Sequence, residues 1–238
     1  MADKIRKHIK GAVLFDLDNT LFDHEKTQAW AIKTMCENLH IDFQAFYPLF
    51  VLYNKEVWRE FADRLITVSS MRIGRFRKTL NALHISHLDP EILSEEYLAL
   101  YRKSVYLIEG TREILLELKP HFILGIITNG TSDVQKKKIE RSSLDHLFDF
   151  IVTVDEAGCS KPSPAFFELA FQKAGVPPKD ITCVGDNFLE DIVGAAQAGA
   201  GRTVWFNPRN DPVPEQYHIR PDHIISRLQD LPRILLMK

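Results

Sequence analysis

The chain has 238 residues, of which 45% are hydrophobic and 26% charged, a balance that excludes a disordered or fibrous protein and suits one large or two smaller globular domains. A formal net charge of −2 leaves no electrostatic footprint for a nucleic acid polymer or an anionic membrane, and no run of about 18 apolar residues exists to span a bilayer. Three widely spaced cysteines, Cys36, Cys159 and Cys183, form neither a disulfide framework nor a zinc pattern, and with a basic N-terminus that lacks a signal-peptide core they point to a reducing, cytoplasmic setting.

In chain order, "AVLF" (12–15) reads as a first strand. From 23 to 108 no strand pattern appears. "TQAWAIKTMCENLH", "FYPLFVLYNKEVWREFADRL", "SSMRIGRFRKTLNALH" and "PEILSEEYLALYRKSVYL" all carry helical spacing, with turn signals between them. The rhythm then changes. "FILGIIT" (122–128), "FIVTV" (150–154), "ITCVG" (181–185) and "RTVWF" (202–206) are apolar nearly throughout, as parallel strands covered on both faces are. Helical patterns lie before and between them at 111–119, 132–142, 164–175 and 190–199, with Gly175 and Gly199 at C-cap positions. "HIISRLQDLPRILLMK" closes the chain with a short strand and a helix. The expected fold class is α/β: a Rossmann-like doubly wound parallel sheet core formed by 1–22 and 109–238, with an inserted α-helical domain at 23–108.

In such a sheet ligands bind beyond the carboxyl ends of the strands. The first strand ends in Asp16 and Asp18. Residues two apart on an extended chain point the same way, so both carboxylates can approach one centre, one as nucleophile and one as general acid/base. A turn with an N-cap is the plainer reading of that pair. A calcium loop is excluded, because the sixth and twelfth positions from Asp16 are Leu21 and Thr27. The second strand ends in Thr128, Asn129 and Gly130, a hydroxyl, an amide and a permissive backbone that suit an oxyanion or phosphate cradle or a simple turn. After the third comes Lys161, held extended by Pro162 and able to neutralise an anion as a point charge. The fourth ends in Gly185-Asp186, with Glu190 and Asp191 close behind, which reads as metal-binding acids or as the acidic start of a helix. "KKK" at 136–138 reads as a solvated helix face, and the nine histidines show no zinc spacing.

These four stretches, in this order, resemble the signature of the haloacid dehalogenase-like hydrolases: D-x-D-x-T at Asp16–Thr20, a Thr after a strand at Thr128, a lysine at Lys161, and an acidic pair at Asp186 and Asp191. The resemblance covers nearly the whole chain, and the helical insert is similar to the family's C1-type cap. It implies a phosphoryl-transfer hydrolase in which Asp16 attacks phosphorus and Asp18 protonates the leaving alkoxide and then deprotonates water. Thr128, Lys161 and Asn129, with the Gly130 backbone, would hold the phosphate, and Mg²⁺ would sit among Asp16, the Asp18 carbonyl, Asp186 and Asp191. Oxygen ligands and retained water suit that ion, and a neighbouring carboxylate would raise the pKa of Asp18 toward that of an acid. The 2-haloacid dehalogenases of the same superfamily lack the acid at the position of Asp18.

The insert also resembles that of the pyrimidine 5′-nucleotidase-like branch, through Asn54, Trp58, Arg75 and Phe76. That resemblance implies a nucleoside monophosphate whose base stacks on Trp58 or Phe22 and hydrogen-bonds to Asn54. Trp58 equally has the spacing of a core residue beside Val51, Phe61 and Leu65. A sugar phosphate or acylneuraminate phosphate is the competing substrate class. A silent binding protein on the same fold is the non-enzymatic alternative, and an oligomeric state, monomer or dimer, is not legible.

Overall fold

The structure is a computed structural model and describes residues 9–237; most of the basic N-terminal stretch lies outside the described residues. The chain divides into two compact units, one of the residues up to Asp23 with those from Leu107 on, the other His24–Tyr106.

The first unit is built on six strands: β1 (Ala12–Phe15), β2 (Ile123–Ile127), β3 (Phe150–Val152), β4 (Ile181–Gly185), β5 (Arg202–Phe206) and β6 (His223–Ile225). Their order is β3-β2-β1-β4-β5-β6, with every adjacent pair parallel. All four residues of β1 and all five of β4 are buried, which is why these strands are apolar without alternation. The register sets Ala12 beside both Ile123 and Ile181, and Phe15 beside both Ile126 and Val184. The carboxyl ends of β1, β2 and β4 are therefore level. The strand order reverses between β1 and β4, and the crevice at such a reversal is where open α/β sheets place ligands.

The second unit is four helices, α1 (His24–Asn38), α2 (Phe43–Ala62), α3 (Val68–Ala82) and α4 (Pro90–Lys103). The last three start at N-caps that their sequences supply. Asp42 accepts from Gln44 N, Thr67 from Ser70 N and Asp89 from Glu91 N. The buried rings of Phe46, Phe50, Phe76 and Tyr97 pack against one another. Among them lies Arg75, whose guanidinium is 4.6 Å from the Tyr97 ring centroid and donates to Asn54 Oδ1 at 3.1 Å. Burial pulls the Arg75 pKa down, and the aromatic faces supply part of the charge stabilisation that water would give.

In the sheet unit follow α5 (Thr111–Leu118), α6 (Ser132–Arg141), α7 (Pro164–Ala174), α8 (Gly194–Gln197) and α9 (Leu231–Leu236). The helix expected over 190–199 differs from that expectation at its start. It opens two residues earlier as a wide π-helical turn, Phe188–Val193, because Asn187 Oδ1 caps both Leu189 N and Glu190 N at 3.1 Å. Such turns recur at functional sites, where they re-aim side chains. No helix among the described residues is long and apolar enough to cross a membrane.

Candidate active site

Asp16 follows the last residue of β1, and its backbone N still joins the sheet by donating to Val184 O. Its carboxylate is buried and accepts from Lys161 Nζ at 2.7 Å. The same ammonium donates to Asp191 Oδ1 at 2.6 Å and to Ile127 O at 2.9 Å, so all three of its protons are used. Asn129 holds that lysine in place. Its Oδ1 accepts from Lys161 N at 2.7 Å, and its Nδ2 donates to Lys161 O and to Glu190 Oε2. The Asn129 side chain is thus spent on clamping the Lys161 loop, a task that its place in "TNG" did not announce.

Asp16, Asp186 and Asp191 each offer a carboxylate oxygen, all within 4.8 Å of one another. Asp186 also accepts from Thr20 Oγ1, and its backbone O accepts from Trp205 Nε1. Asp191 reaches back from the π-helical turn and accepts from Asn187 N at 3.0 Å. Gly185 makes that return possible, since a Cβ there would stand 2.2 Å from the Asp191 carboxyl.

Asp18 has partners of its own. The chain turns just after it. Leu21 N and Phe22 N both return to Leu17 O, and Asn19 adopts a left-handed φ of 63°. The Asp18 carboxylate lies outside the cluster of the other three, yet close enough to Asp16 to raise its pKa. It accepts from Lys138 Nζ, and from Gln135 Nε2 at 2.6 Å. Lys138 corrects the reading of "KKK" as a solvated face. Lys136 and Lys137 are exposed, but the Lys138 side chain is 1% exposed, because it shares the inward stripe of α6 with Gln135 and Ile139. Gln135, Lys138 and the clamping role of Glu190 were not singled out from the sequence. The available signal was their i, i+3 and i+4 phase with Ile139, which three consecutive lysines disguise. Thr128 Oγ1 accepts from Gly130 N at 3.0 Å and from Gln135 Nε2 at 3.1 Å, leaving its own proton to donate.

Asn54 and Trp58 lie on α2 in the helical unit. Asn54 is buried with its oxygen on Arg75, and Trp58 is partly buried, edge-on to Phe61 at 5.7 Å.

The electrostatics follow from crowding. Burial pushes Asp16 up to about 7 and Asp186 up to about 8, with the neighbouring carboxylates adding to the rise and Lys161 opposing it. Burial also raises Asp191 and Glu190. Lys161 is held above the usual lysine range, because Asp16, Asp191 and Glu190 outweigh the burial that lowers it. Acids outnumber lysines here, and the three clustered carboxylates are hard oxygen donors, the set a divalent cation such as Mg²⁺ fits. Asp16 and Asp186 keep protons in the fold that the unfolded chain has already released. The stability of the metal-free protein therefore falls as pH rises from about 4 toward 7–8. Denaturant titrations in EDTA at pH 5 and pH 8 measure this. Excess Mg²⁺ is expected to restore most of the pH 8 loss, and a stability in EDTA that rises over that interval contradicts the crowding.

A family model for haloacid dehalogenase-like hydrolase matches residues 10–199. The chain belongs to that family. The chain of this haloacid dehalogenase-like hydrolase is 28% identical over 229 residues to pyrimidine 5′-nucleotidase YjjG of Escherichia coli strain K12, covering 94% of this chain and 96% of that one. It is 29% identical over 244 residues to the N-acylneuraminate-9-phosphatase of Homo sapiens, covering 94% and 93%. Among solved structures, the magnesium-bound HAD-hydrolase YfnB of Bacillus subtilis superposes with a TM-score of 0.84 at 27% identity, covering 95% and 99%.

Proposed function

We propose that this hydrolase cleaves small phosphomonoesters with the aid of Mg²⁺, by way of an aspartyl-phosphate on Asp16. The observation that carries the reading is the Asp16 carboxylate at the β1/β4 reversal, bridged by Lys161 to Asp191 and clustered with Asp186. Asp16 Oδ attacks phosphorus, and the ester oxygen leaves with a proton from Asp18. Water then attacks the phosphorus, giving its proton to Asp18 and freeing Asp16. The Thr128 hydroxyl and the Lys161 ammonium hold the phosphoryl oxygens, the ammonium exchanging one of its present acceptors to do so, and the Asn129 clamp fixes the Lys161 backbone. Asp16, Asp186 and the Asp18 carbonyl, backed by Asp191, would hold the metal ion. When bound, it offsets the repulsion between an anionic nucleophile and an anionic phosphate. The presence of Asp18 favours phosphate over halide chemistry on the family resemblance.

For the substrate we favour a pyrimidine nucleoside 5′-monophosphate. The likeness to a relative named as a pyrimidine 5′-nucleotidase supports this, together with the resemblance carried by Asn54, Trp58, Arg75 and Phe76. The likeness to a phosphatase named for N-acylneuraminate 9-phosphate supports the second reading, a sugar-acid or sugar phosphate. Phosphate release from UMP, dUMP, dTMP, AMP, sugar phosphates and an acylneuraminate 9-phosphate, with Mg²⁺ and then with EDTA, decides between them. Metal-dependent release concentrated on the pyrimidine esters is the expected result. Release confined to sugar phosphates keeps the chemistry and discards the nucleotide, and release from no ester discards both.

A further inference from the structure

Helix α6 carries two side chains that the reaction above does not use. Gln135 and Lys138 are 2% and 1% exposed, and burying an amide and an ammonium costs free energy that an apolar pair would not. Both are directed at Asp18. Lys138 Nζ donates to Oδ1 and lies 5.0 Å from the Phe22 ring centroid. Gln135 Nε2 donates to Oδ2 at 2.6 Å and to Thr128 Oγ1 at 3.1 Å, so one nitrogen ties Asp18 to the hydroxyl assigned to the phosphoryl group. Gly130 makes room for this. A Cβ there would stand 2.0 Å from Gln135 Nε2, while the backbone makes no demand for glycine. Each Asp18 oxygen thus accepts from one of these two side chains, which fixes the carboxyl plane from both sides.

We infer that Gln135 and Lys138 are positioning residues that hold Asp18 as the base of the second half-reaction. The inference rests on the phosphomonoesterase reading. In that half the water oxygen bonds to phosphorus, the bond from Asp16 Oδ to phosphorus breaks, and the water proton passes to Asp18. Inorganic phosphate and a free Asp16 carboxylate result. The two-sided clamp aims Asp18, and the Lys138 ammonium offsets the repulsion from Asp16. The Asp18 side chain remains 29% exposed, so water can reach it.

Nitrophenyl phosphate isolates this half, because its leaving group departs without a proton. With Gln135→Ala and with Lys138→Met, kcat is expected to fall about 10²-fold, the usual worth of a placed general base. The value of kcat/KM, which ends at phosphoryl transfer to Asp16, should stay within about threefold, so that KM falls with kcat. Acid-quenched samples of both variants should carry a phosphoryl group on Asp16 by intact mass and peptide mapping, in excess of wild type. The double variant Gln135→Ala with Lys138→Met should give the same split and cost less than the two single losses combined, since both act through Asp18. If Lys138→Met loses its native circular dichroism, Gln135→Ala, which removes no charge, carries the test. Equal losses in kcat and kcat/KM without trapped phosphoryl, unchanged kinetics, or additive losses in the double variant overturn the inference. Phosphate release that survives Asp16→Asn overturns the phosphatase reading instead, so the two failures are distinguishable.

Discussion

Asp16→Asn yields a folded protein whose Mg²⁺-dependent phosphate release is lower by at least about 10³-fold, since a carboxamide neither attacks phosphorus nor offers the charge a cation requires. The structural expectation is the reverse of the catalytic one. Asp16 is buried, with its pKa pushed up to about 7 by burial and by Asp191 and Asp18, with Lys161 opposing. Its ionised form is therefore a net burden on the metal-free fold. Asparagine matches its shape and removes that burden, while Lys161 keeps Asp191 and Ile127 O as partners. Metal-free Asp16→Asn should melt no lower than wild type, and should gain more relative to it at pH 8 than at pH 5, the stability–activity trade-off of a crowded site. Thermal melts in EDTA beside phosphate release in Mg²⁺ measure both halves. Retained turnover removes the nucleophile assignment. Lost turnover with a collapsed melting transition makes Asp16 a structural residue instead.

Lys161→Met is expected to fail in the opposite way, losing stability together with activity. The ammonium is the shared partner of Asp16 and Asp191, and its side chain is 1% exposed. Removing one member of a buried ion pair leaves uncompensated charge and costs about 3–5 kcal/mol. The loss should be largest at pH 8 in EDTA. It should shrink toward pH 5, where Asp16, pushed up to about 7 by burial, is protonated and needs no counter-charge, and where the burial that raises Asp191 brings that acid closer to its neutral form than at pH 8. Turnover should fall about 10²–10³-fold, the usual effect of deleting one donor to a charge-developing centre. Urea titrations at the two pH values check the first part. A pH-independent loss shows that the methionine merely packs badly.

The sheet was legible because its strands are buried on both faces. Ala12–Phe15 and Ile181–Gly185 carry no polar alternation, and only parallel strands under helices need that composition. The helical unit was legible for a different reason: Asp42, Thr67 and Asp89 mark helix starts by their own side-chain chemistry. Local pattern could not show where Asp18 points. Its direction depends on a turn whose hydrogen bonds return to Leu17, and on partners more than a hundred residues away. Nor could it separate Lys138 from Lys136 and Lys137, since the phase of a helix is decided by what packs against it.

By itself, then, the sequence determined that acids, a hydroxyl and a lysine stand at the ends of apolar strands, because strand composition and local turn chemistry are properties of short segments. The tertiary structure alone decided how those groups pair: Lys161 with Asp16 and Asp191, Asn129 with the Lys161 backbone, Lys138 and Gln135 with Asp18. Each pairing joins segments distant in the chain. It is set by sheet register and by the charge balance of a buried crevice, neither of which any single segment contains.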